Sequence, residues 1–281
     1  MRNNGDRFQT SPDVPHDESA PSTTATLDFV VPTDYVDLPS GGYFYASNHL
    51  LNGKEQIEIR YMTAKEEDIL TSQTLIKKGI AVDKMLQNII VDKRINIDSV
   101  LSCDRSAMIV ASRITGYGPE YKFQINCPSC NSKNEINYDL STSVVNNGKN
   151  HEDGEVDYLA DGTFVVTIPK LNYKVQMKLL SGKDEKFLFE LNENRKRKNL
   201  LESAATDQLK MSIVSVNGIS DQQTLDRFIS TLRAMDAKYL RTMYKKVSPS
   251  LDMKYDFSCS FCSHSQEVDI PLTAEFFWPK W

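Results

Sequence analysis

The chain has 281 residues, with 33 basic and 38 acidic side chains and therefore a formal net charge of −5. Its 40% hydrophobic and 25% charged residues are typical of a globular protein with a sizeable core. No apolar run reaches the roughly 20 residues of a membrane span. The first residues include no apolar segment of the signal-peptide kind, so neither a signal peptide nor a membrane anchor is expected. The mildly acidic composition also argues against a protein whose surface as a whole binds nucleic acid.

The N-terminal half is predicted to contain a tail followed by strands. Residues 1–26 are rich in Pro, Ser and Thr and poor in apolar side chains, which predicts a flexible tail. Residues 27–140 form a predicted N-terminal α+β region. A turn is expected at residues 38–42, and a half-buried strand over residues 56–62, where apolar and polar residues alternate.

Three helices are predicted after these strands. Thr63 and Glu66 have the spacing of a capping box, so a helix is expected to begin there and to end at Gly79. A second helix carries the apolar residues between positions 85 and 90 on one face. The third extends over about residues 104–114 and is expected to stop at Gly116.

Asn, Gly and Asp predominate in residues 141–162, the predicted linker to a C-terminal α+β region over residues 163–281. Strands are predicted over residues 163–168 and 173–179, and helices over residues 184–198, 204–216, 222–232 and 237–247. The expected fold class is therefore α+β, with strands gathered around the cysteines.

Four of the five cysteines form two CxxC pairs, Cys127 with Cys130 and Cys259 with Cys262, and the two pairs begin 132 residues apart. The flanking residues repeat at the same offset, and each copy indicates a hairpin with two cysteines at its turn. This is the zinc-knuckle arrangement. Because zinc prefers four tetrahedral ligands, two facing knuckles would complete one structural four-cysteine site in a zinc-ribbon-like β region.

Other interpretations of the cysteines are a thioredoxin-like redox pair, separate disulfides, and knuckles without metal. A redox CxxC opens a helix, whereas a second strand follows each pair here, which argues against that interpretation. His264, two residues after Cys262, is either an alternative ligand or a solvated turn residue. The fifth cysteine, Cys103, is expected to be a small buried or half-buried apolar residue.

No catalytic constellation stands out, and the chain is not expected to be an enzyme. The four histidines are scattered over the sequence, so nothing in their sequence surroundings supports a Cys/His or Ser/His catalytic pair, and no Gly-rich phosphate loop occurs. The densest charge run is Arg-Lys-Arg-Lys at residues 195–198. It lies near a predicted helix C-terminus, where cations interact favourably with the helix dipole, and is interpreted as a solvated face.

Two aromatic segments are candidate protein-binding surfaces. The first contains Tyr43, Phe44 and Tyr45, and the second contains Phe276, Phe277, Trp278 and Trp281. Aromatic side chains often dominate the binding energy of interfaces. Each can equally remove about 150–250 Å² of surface from water inside its own fold. The C-terminal aromatics are therefore either a cap over the predicted zinc ribbon or an anchor in a groove of a partner.

Taken in order, these features resemble a known family. They are Leu-Pro-Ser-Gly-Gly-Tyr-Phe-Tyr (38–45), Met-Thr-Ala-Lys-Glu-Glu-Asp-Ile-Leu (62–70), the two knuckles, Pro-Leu (271–272) and Phe-Phe-Trp-Pro (276–279). The combination is similar to the baseplate hub and hub-assembly family of T-even-like contractile-tailed bacteriophages, over about residues 30–281. The resemblance implies a non-enzymatic structural or assembly component of the central hub. Its partners would be other baseplate and hub proteins, met in the host cytoplasm during assembly and in the tail baseplate of the virion.

Three alternatives stay open at this point. The first is a hub-assembly chaperone that is absent from the virion. The second is a zinc-ribbon phage regulator that binds nucleic acid, although the second knuckle carries Glu267 and Asp269 without a nearby arginine. The third is a metalloenzyme, although four thiolate ligands would leave the zinc no open coordination position.

Overall fold

The strands of this protein are short, and each one pairs with an antiparallel neighbour. The computed structural model describes residues 30–148, 151–152, 154–200, 203–270 and 274–277, where the predicted α+β class is confirmed. The helices are α1 (Ala64–Thr71), α2 (Gln73–Lys77), α3 (Ala81–Ile89), α4 (Ser102–Tyr117), α5 (Gly182–Arg197), α6 (Ala204–Ser212), α7 (Gln222–Thr231) and α8 (Ala234–Val247). The strands are β1 (Thr33–Asp37), β2 (Gln56–Arg60), β3 (Glu120–Asn126), β4 (Lys133–Asp139), β5 (Val144–Asn146), β6 (Val156–Tyr158), β7 (Phe164–Ile168), β8 (Tyr173–Met177), β9 (Ile213–Val216), β10 (Ser250–Asp252), β11 (Lys254–Ser258) and β12 (Ser265–Asp269). Short 3₁₀ helices occupy Ile97–Ser99, Leu140–Thr142 and Ala274–Phe277.

The strands form four two-stranded sheets and one four-stranded sheet within the described residues. The pairs are β1 with β2, β3 with β4, β5 with β10, and β11 with β12, and the larger sheet has the order β6-β7-β8-β9. Alternation along β7 places Phe164, Val166 and Ile168 on its buried face. Helix α8 packs against this sheet and contributes Leu240 and Met243 to the same core.

The helix predicted from Thr63 to Gly79 is interrupted at Ser72. The Glu66 carboxylate accepts hydrogen bonds from the backbone N (2.9 Å) and the hydroxyl (2.7 Å) of Thr63, so α1 begins where the capping box predicts. Ser72 then adopts an extended conformation, with φ −63° and ψ 106°, and α2 starts directly after it. Thr71 donates its hydroxyl hydrogen to the carbonyl O of Glu67, a local bond of the kind that competes with helix propagation.

Residues 204–216, predicted as one helix, fold as α6 followed at once by β9. Ile213, Val214 and Val216 are β-branched and favour strand conformation. Strand β9 pairs with β8 at one edge of the four-stranded sheet, and β8 supplies its backbone hydrogen-bond partners. The predicted helix is therefore wrong after Ser212, because a distant strand decides the conformation of an apolar run that suits either element.

The predicted linker, residues 141–162, contains two strands. Strand β5 pairs with β10, and β6 pairs with β7 in the larger sheet. Strands from this segment therefore take part in sheets with residues that follow it in the sequence.

Helix α4 is the central element of the fold. It packs against α3, α5, β1 and β10, and its buried residues include the two charged side chains Asp104 and Arg113. The helix continues past Gly116, where a stop was predicted, and ends at Gly118, whose φ of 84° suits glycine. No helix in the described ranges is long and apolar enough to cross a bilayer.

Candidate metal centre and contact surfaces

The two cysteine hairpins have the same register, as well as similar sequences. In β3–β4, Phe123 lies opposite Ile136, and in β11–β12, Tyr255 lies opposite Val268. Each of these pairs corresponds to the other at the offset of 132 residues. The turns correspond too: the backbone N of Cys127 donates to the carbonyl O of Ser132 (2.8 Å), and the N of Cys259 donates to the O of His264 (2.9 Å).

The tips of the two hairpins bring four sulfur atoms together. The Sγ atoms of Cys127, Cys130, Cys259 and Cys262 all lie within 4.8 Å of one another, and two of the distances between hairpins, Cys127 to Cys262 and Cys130 to Cys259, are 3.7 Å. A disulfide needs about 2.05 Å between sulfurs, and all four cysteines are free thiols. In a tetrahedral site with Zn–S distances of about 2.3 Å, neighbouring sulfurs are about 3.8 Å apart. The sulfur quartet has the dimensions of such a site.

Two polar residues beside the cysteines connect the hairpins. Asn134 is buried in β4, accepts a hydrogen bond from the backbone N of Ser260 (2.9 Å), and directs its Nδ2 toward the Sγ of Cys259 (3.7 Å). The Ser132 hydroxyl lies 3.0 Å from the Sγ of Cys130 and 3.4 Å from that of Cys259. Residues of this kind orient metal ligands. Neither residue is predicted from the sequence as part of the site, although Asn134 occupies a position where the alternation of β4 indicates a buried residue.

The surroundings of the thiols favour ionisation of two of them. Hydrogen bonding to Ser132 is the main cause that lowers the pKa of Cys130, and it also lowers the pKa of Cys259, to about 5. At Cys262 the backbone hydrogen bond from His264 lowers the pKa, but burial and the neighbouring sulfurs raise it by more, to about 11. Four thiolates this close repel one another, and a divalent cation would offset that repulsion.

The remaining sulfur and imidazole candidates lie outside the quartet. Among the described residues, the group of potential metal ligands contains the four cysteines without His264. Cys103 is half-buried on α4, with its Sγ 3.7 Å from Asp104 Oδ1, and burial raises the pKa of its thiol. It is a core-side residue, as the sequence predicted.

One histidine does contact a serine, but in the wrong tautomer for nucleophilic catalysis. The backbone N of Leu51 donates to His49 Nδ1 (3.1 Å), so the neutral ring carries its proton on Nε2 and donates it to Ser99 Oγ (2.9 Å). Burial lowers the pKa of His49, which favours that neutral ring. The imidazole therefore has no free nitrogen with which to take the serine proton.

The basic run at residues 195–198 includes a structural ion pair. Arg195 forms an ion pair with Asp207, which joins the end of α5 to α6. Lys196 Nζ lies 3.4 Å from Oε1 of Glu193, which is one turn earlier in the same helix. The run therefore includes intramolecular pairs at the end of a helix.

Of the three aromatic residues after the 38–42 turn, one is buried. The ring of Tyr45 is 3% exposed, and its hydroxyl donates to Asp104 Oδ2 (2.7 Å) and accepts from the backbone N of Leu101 (3.0 Å). Tyr45 is therefore a core residue, and its prediction as a partner-facing residue is wrong. Tyr43 is 69% exposed, and Phe44 is half-buried with its ring edge against Tyr158 at 5.7 Å between centroids.

The C-terminal phenylalanines are also buried in this chain. Phe276 and Phe277 are 2% and 5% exposed, and the Phe276 ring meets that of Tyr121 in β3 edge to face at 5.0 Å. Both residues pack within the fold, and the Phe276 ring lies beside the first hairpin. Trp278 and Trp281 lie outside the described residues.

A buried arginine holds this C-terminal segment. Arg113 is 1% exposed and donates from Nε to the carbonyl O of Phe276 (2.8 Å), from Nη1 to Gly118 (2.6 Å), and from Nη2 to Glu120 (2.8 Å). Helix α4, the start of β3 and the last described residues are thereby connected through one side chain. The sequence contains no signal for this contact, because its partners are backbone carbonyls.

Comparison with known proteins yields one family match. A family model described as T4 bacteriophage base plate protein matches residues 43–278. The match begins at Tyr43, directly after the 38–42 turn, and includes both hairpins. No curated protein and no solved structure matches the chain.

Proposed function

The chain belongs to the T4 bacteriophage base plate protein family, and from this premise we propose that it is a non-enzymatic component of the central hub of a contractile-tail baseplate. The family match over residues 43–278 carries this proposal. The protein would act through contacts with other baseplate and hub proteins, first in the host cytoplasm and then in the tail of the virion. A fold with rigidly joined segments suits such a role, because an assembly subunit must keep its surfaces in fixed relative positions.

We further propose that one structural zinc ion joins the two hairpins. Cys127, Cys130, Cys259 and Cys262 would supply four thiolate ligands. The spacing of the sulfurs and the low pKa of Cys259 support this ligand set. Since the ligands come from two distant parts of the sequence, zinc binding would be coupled to the docking of one hairpin on the other.

The zinc proposal predicts one metal ion per chain, held jointly by both hairpins. The metal-to-protein ratio is measured on the purified chain and on Cys127→Ser and Cys259→Ser, with Cys103→Ser as the matched control. We expect about one zinc in the wild type and in the control, and loss of zinc in either ligand variant. Two zinc ions per chain, or loss in only one ligand variant, would contradict the shared site.

The hub proposal is tested by locating the chain during tail assembly. Finished phage particles and incomplete baseplates are purified and analysed by quantitative mass spectrometry, with an established tail protein as the internal standard. A fixed ratio in finished particles supports a resident hub subunit. Presence in incomplete baseplates alone identifies an assembly chaperone instead, and absence from both overturns the proposal.

A further inference from the structure

A groove with a volume of about 730 Å³ lies between residues 38–44, here called the aromatic turn, and residues in and directly after β5 and β6. Leu38, Tyr43 and Phe44 contribute to one side, and Val145, Tyr158 and Leu159 to the other. Four of these six side chains are substantially exposed, from 39% at Val145 to 69% at Tyr43. Contiguous exposed apolar surface of this kind is typical of sites that bind another molecule.

The wall formed by the aromatic turn is rigid. The backbone N and the hydroxyl of Ser40 both donate to the buried carboxylate of Asp104, at 3.0 Å and 2.7 Å. The backbone of the turn packs closely against its neighbours: a Cβ added to Gly42 would lie 2.5 Å from the backbone N of Lys54, and one added to Gly162 would lie 2.5 Å from the carbonyl O of Phe44. A preformed groove loses little conformational entropy when a ligand binds.

The charges that line the groove have one sign. Among the residues that the structure describes, the charged side chains that line it are Asp37 and Glu55, and both are exposed. Asp37 Oδ1 accepts a hydrogen bond from Gln56 Nε2 (2.7 Å), which orients the carboxylate. Exposed phenol rings at Tyr43 and Tyr158 complete a lining that suits a guanidinium or ammonium group on an apolar stem. A phosphate backbone or an acidic segment would be repelled.

We propose that this groove docks a polypeptide segment of another tail protein that presents a lysine or arginine between apolar side chains. The apolar side chains of the segment would contact Val145 and Leu159, and its cation would lie between Asp37 and Glu55. This inference rests on the proposed function, because it assumes that the chain works through protein partners. It adds the place and the chemistry of one contact.

The test uses the full chain and a set of short overlapping peptides. They cover the other tail proteins encoded by the same phage and residues 1–29 of this chain. Binding is measured by fluorescence polarisation at low and high salt for three proteins: the wild type, Asp37→Asn/Glu55→Gln, and the control Glu190→Gln/Asp226→Asn. The control removes the same charge from α5 and α7, away from the groove.

We expect the bound peptides to combine Lys or Arg with apolar residues and to bind the Asp37→Asn/Glu55→Gln variant about fivefold to tenfold more weakly at low salt, with a smaller difference at high salt. The control should bind like the wild type. Leu159→Ala should weaken binding to a similar extent at both salt concentrations, because it removes apolar contact.

Several results would overturn the proposal. The bound peptides could lack a basic residue, or the groove variant could bind as tightly as the control. Peptides from residues 1–29 could bind best, in which case the occupant is the chain itself. The chain could also self-associate in sedimentation and lose this self-association in the groove variant, in which case the occupant is a second copy.

If the wild type is found in baseplates but the groove variant assembles equally well, this inference fails and the hub proposal stands. If the wild type is absent from baseplates, the hub proposal itself fails.

Discussion

Replacing Arg113 by lysine should release the C-terminal 3₁₀ helix from α4. The arginine fork donates to the carbonyls of Phe276, Gly118 and Glu120, which lie in three different segments. A lysine has a single nitrogen on a flexible stem and cannot reach three carbonyls that surround a planar guanidinium. The substitution keeps the charge, so any effect measures the loss of the fork geometry.

The magnitude follows from the number of hydrogen bonds that are lost. If the ammonium keeps one of the three bonds, two are broken, and a hydrogen bond that involves a charged group contributes about 1.5–3 kcal/mol. The expected loss in the free energy of unfolding is therefore about 3–6 kcal/mol. This is a large fraction of the roughly 5–15 kcal/mol that stabilises a typical domain.

Urea unfolding of the purified protein measures the global effect, and hydrogen exchange measures the local one. Exchange should accelerate most at the amides of Gly118 and Glu120 and of residues 274–277, where the arginine binds the backbone. Arg94→Lys is the matched control, because Arg94 is exposed and forms a local ion pair with Asp92; it should change stability by less than about 0.5 kcal/mol.

A loss below about 1 kcal/mol for Arg113→Lys would refute this reasoning, since less than one charged hydrogen bond would then be at stake. Acceleration of exchange spread evenly over the chain would refute the local part of it. In that case the arginine would stabilise the fold as a whole without anchoring the C-terminal segment.

Three further predictions concern a buried amide, a buried carboxylate and a turn. Asn134→Ala should weaken zinc retention about tenfold to hundredfold, because it removes a side chain that supports Cys259, and competition with a chromogenic chelator measures this. Burial raises the pKa of Glu66, but its hydrogen bonds, led by that from Arg60, lower the pKa by more. The pKa of Glu66 therefore lies below its usual value. The wild type should therefore be more stable than Glu66→Gln above about pH 4.3, and this advantage should disappear as the pH falls through the lower pKa of the folded state; urea midpoints across this range measure it. Gly42→Ala should cost about 2–3 kcal/mol in thermal or urea unfolding, because φ is +77° and the added Cβ would lie 2.5 Å from a backbone nitrogen.

Each of these three substitutions has a matched control. Ser129→Ala changes an exposed residue of the same hairpin and should retain zinc. Equal losses of zinc from Ser129→Ala and Asn134→Ala would show that any substitution in this hairpin weakens zinc retention. Glu67→Gln, on an exposed neighbour of Glu66, should not alter the pH profile; a profile for Glu66→Gln that parallels the wild type would contradict the linkage argument. Gly53→Ala has φ +67° but open space around the added Cβ, so a cost equal to that of Gly42→Ala would mean that backbone strain alone decides.

Local patterns made several features of this protein predictable. Two CxxC turns with matching flanks predicted two equivalent hairpins, because alternation and turn chemistry are properties of consecutive residues. The Thr63–Glu66 capping box predicted the start of α1 for the same reason. The family was also accessible from the sequence, since the order of its landmarks is itself a sequence property, and the match over residues 43–278 confirms it.

Predictions that depended on distant partners were less successful. The strand β9 was predicted as helix because its apolar residues suit both elements, and only pairing with β8 decides between them. Tyr45 was predicted to face a partner because it lies in an aromatic cluster beside a turn. The local sequence does not show which carboxylate will accept a hydrogen bond from its hydroxyl. That carboxylate is Asp104, 59 residues later, and the hydrogen bond to it satisfies the hydroxyl when the Tyr45 ring is buried in the core.

Patterns of consecutive residues were sufficient to predict the fold class, the paired hairpins, the four cysteines that meet at their tips, and the family. The folded chain was needed to show which aromatic residues are buried, that Arg113 joins α4 to a segment 163 residues later, and that Asn134 connects the two hairpins. One difference explains both outcomes. Hydrogen bonds within a turn depend on neighbouring residues, whereas burial and long-range hydrogen bonds depend on which surfaces the folded chain brings together.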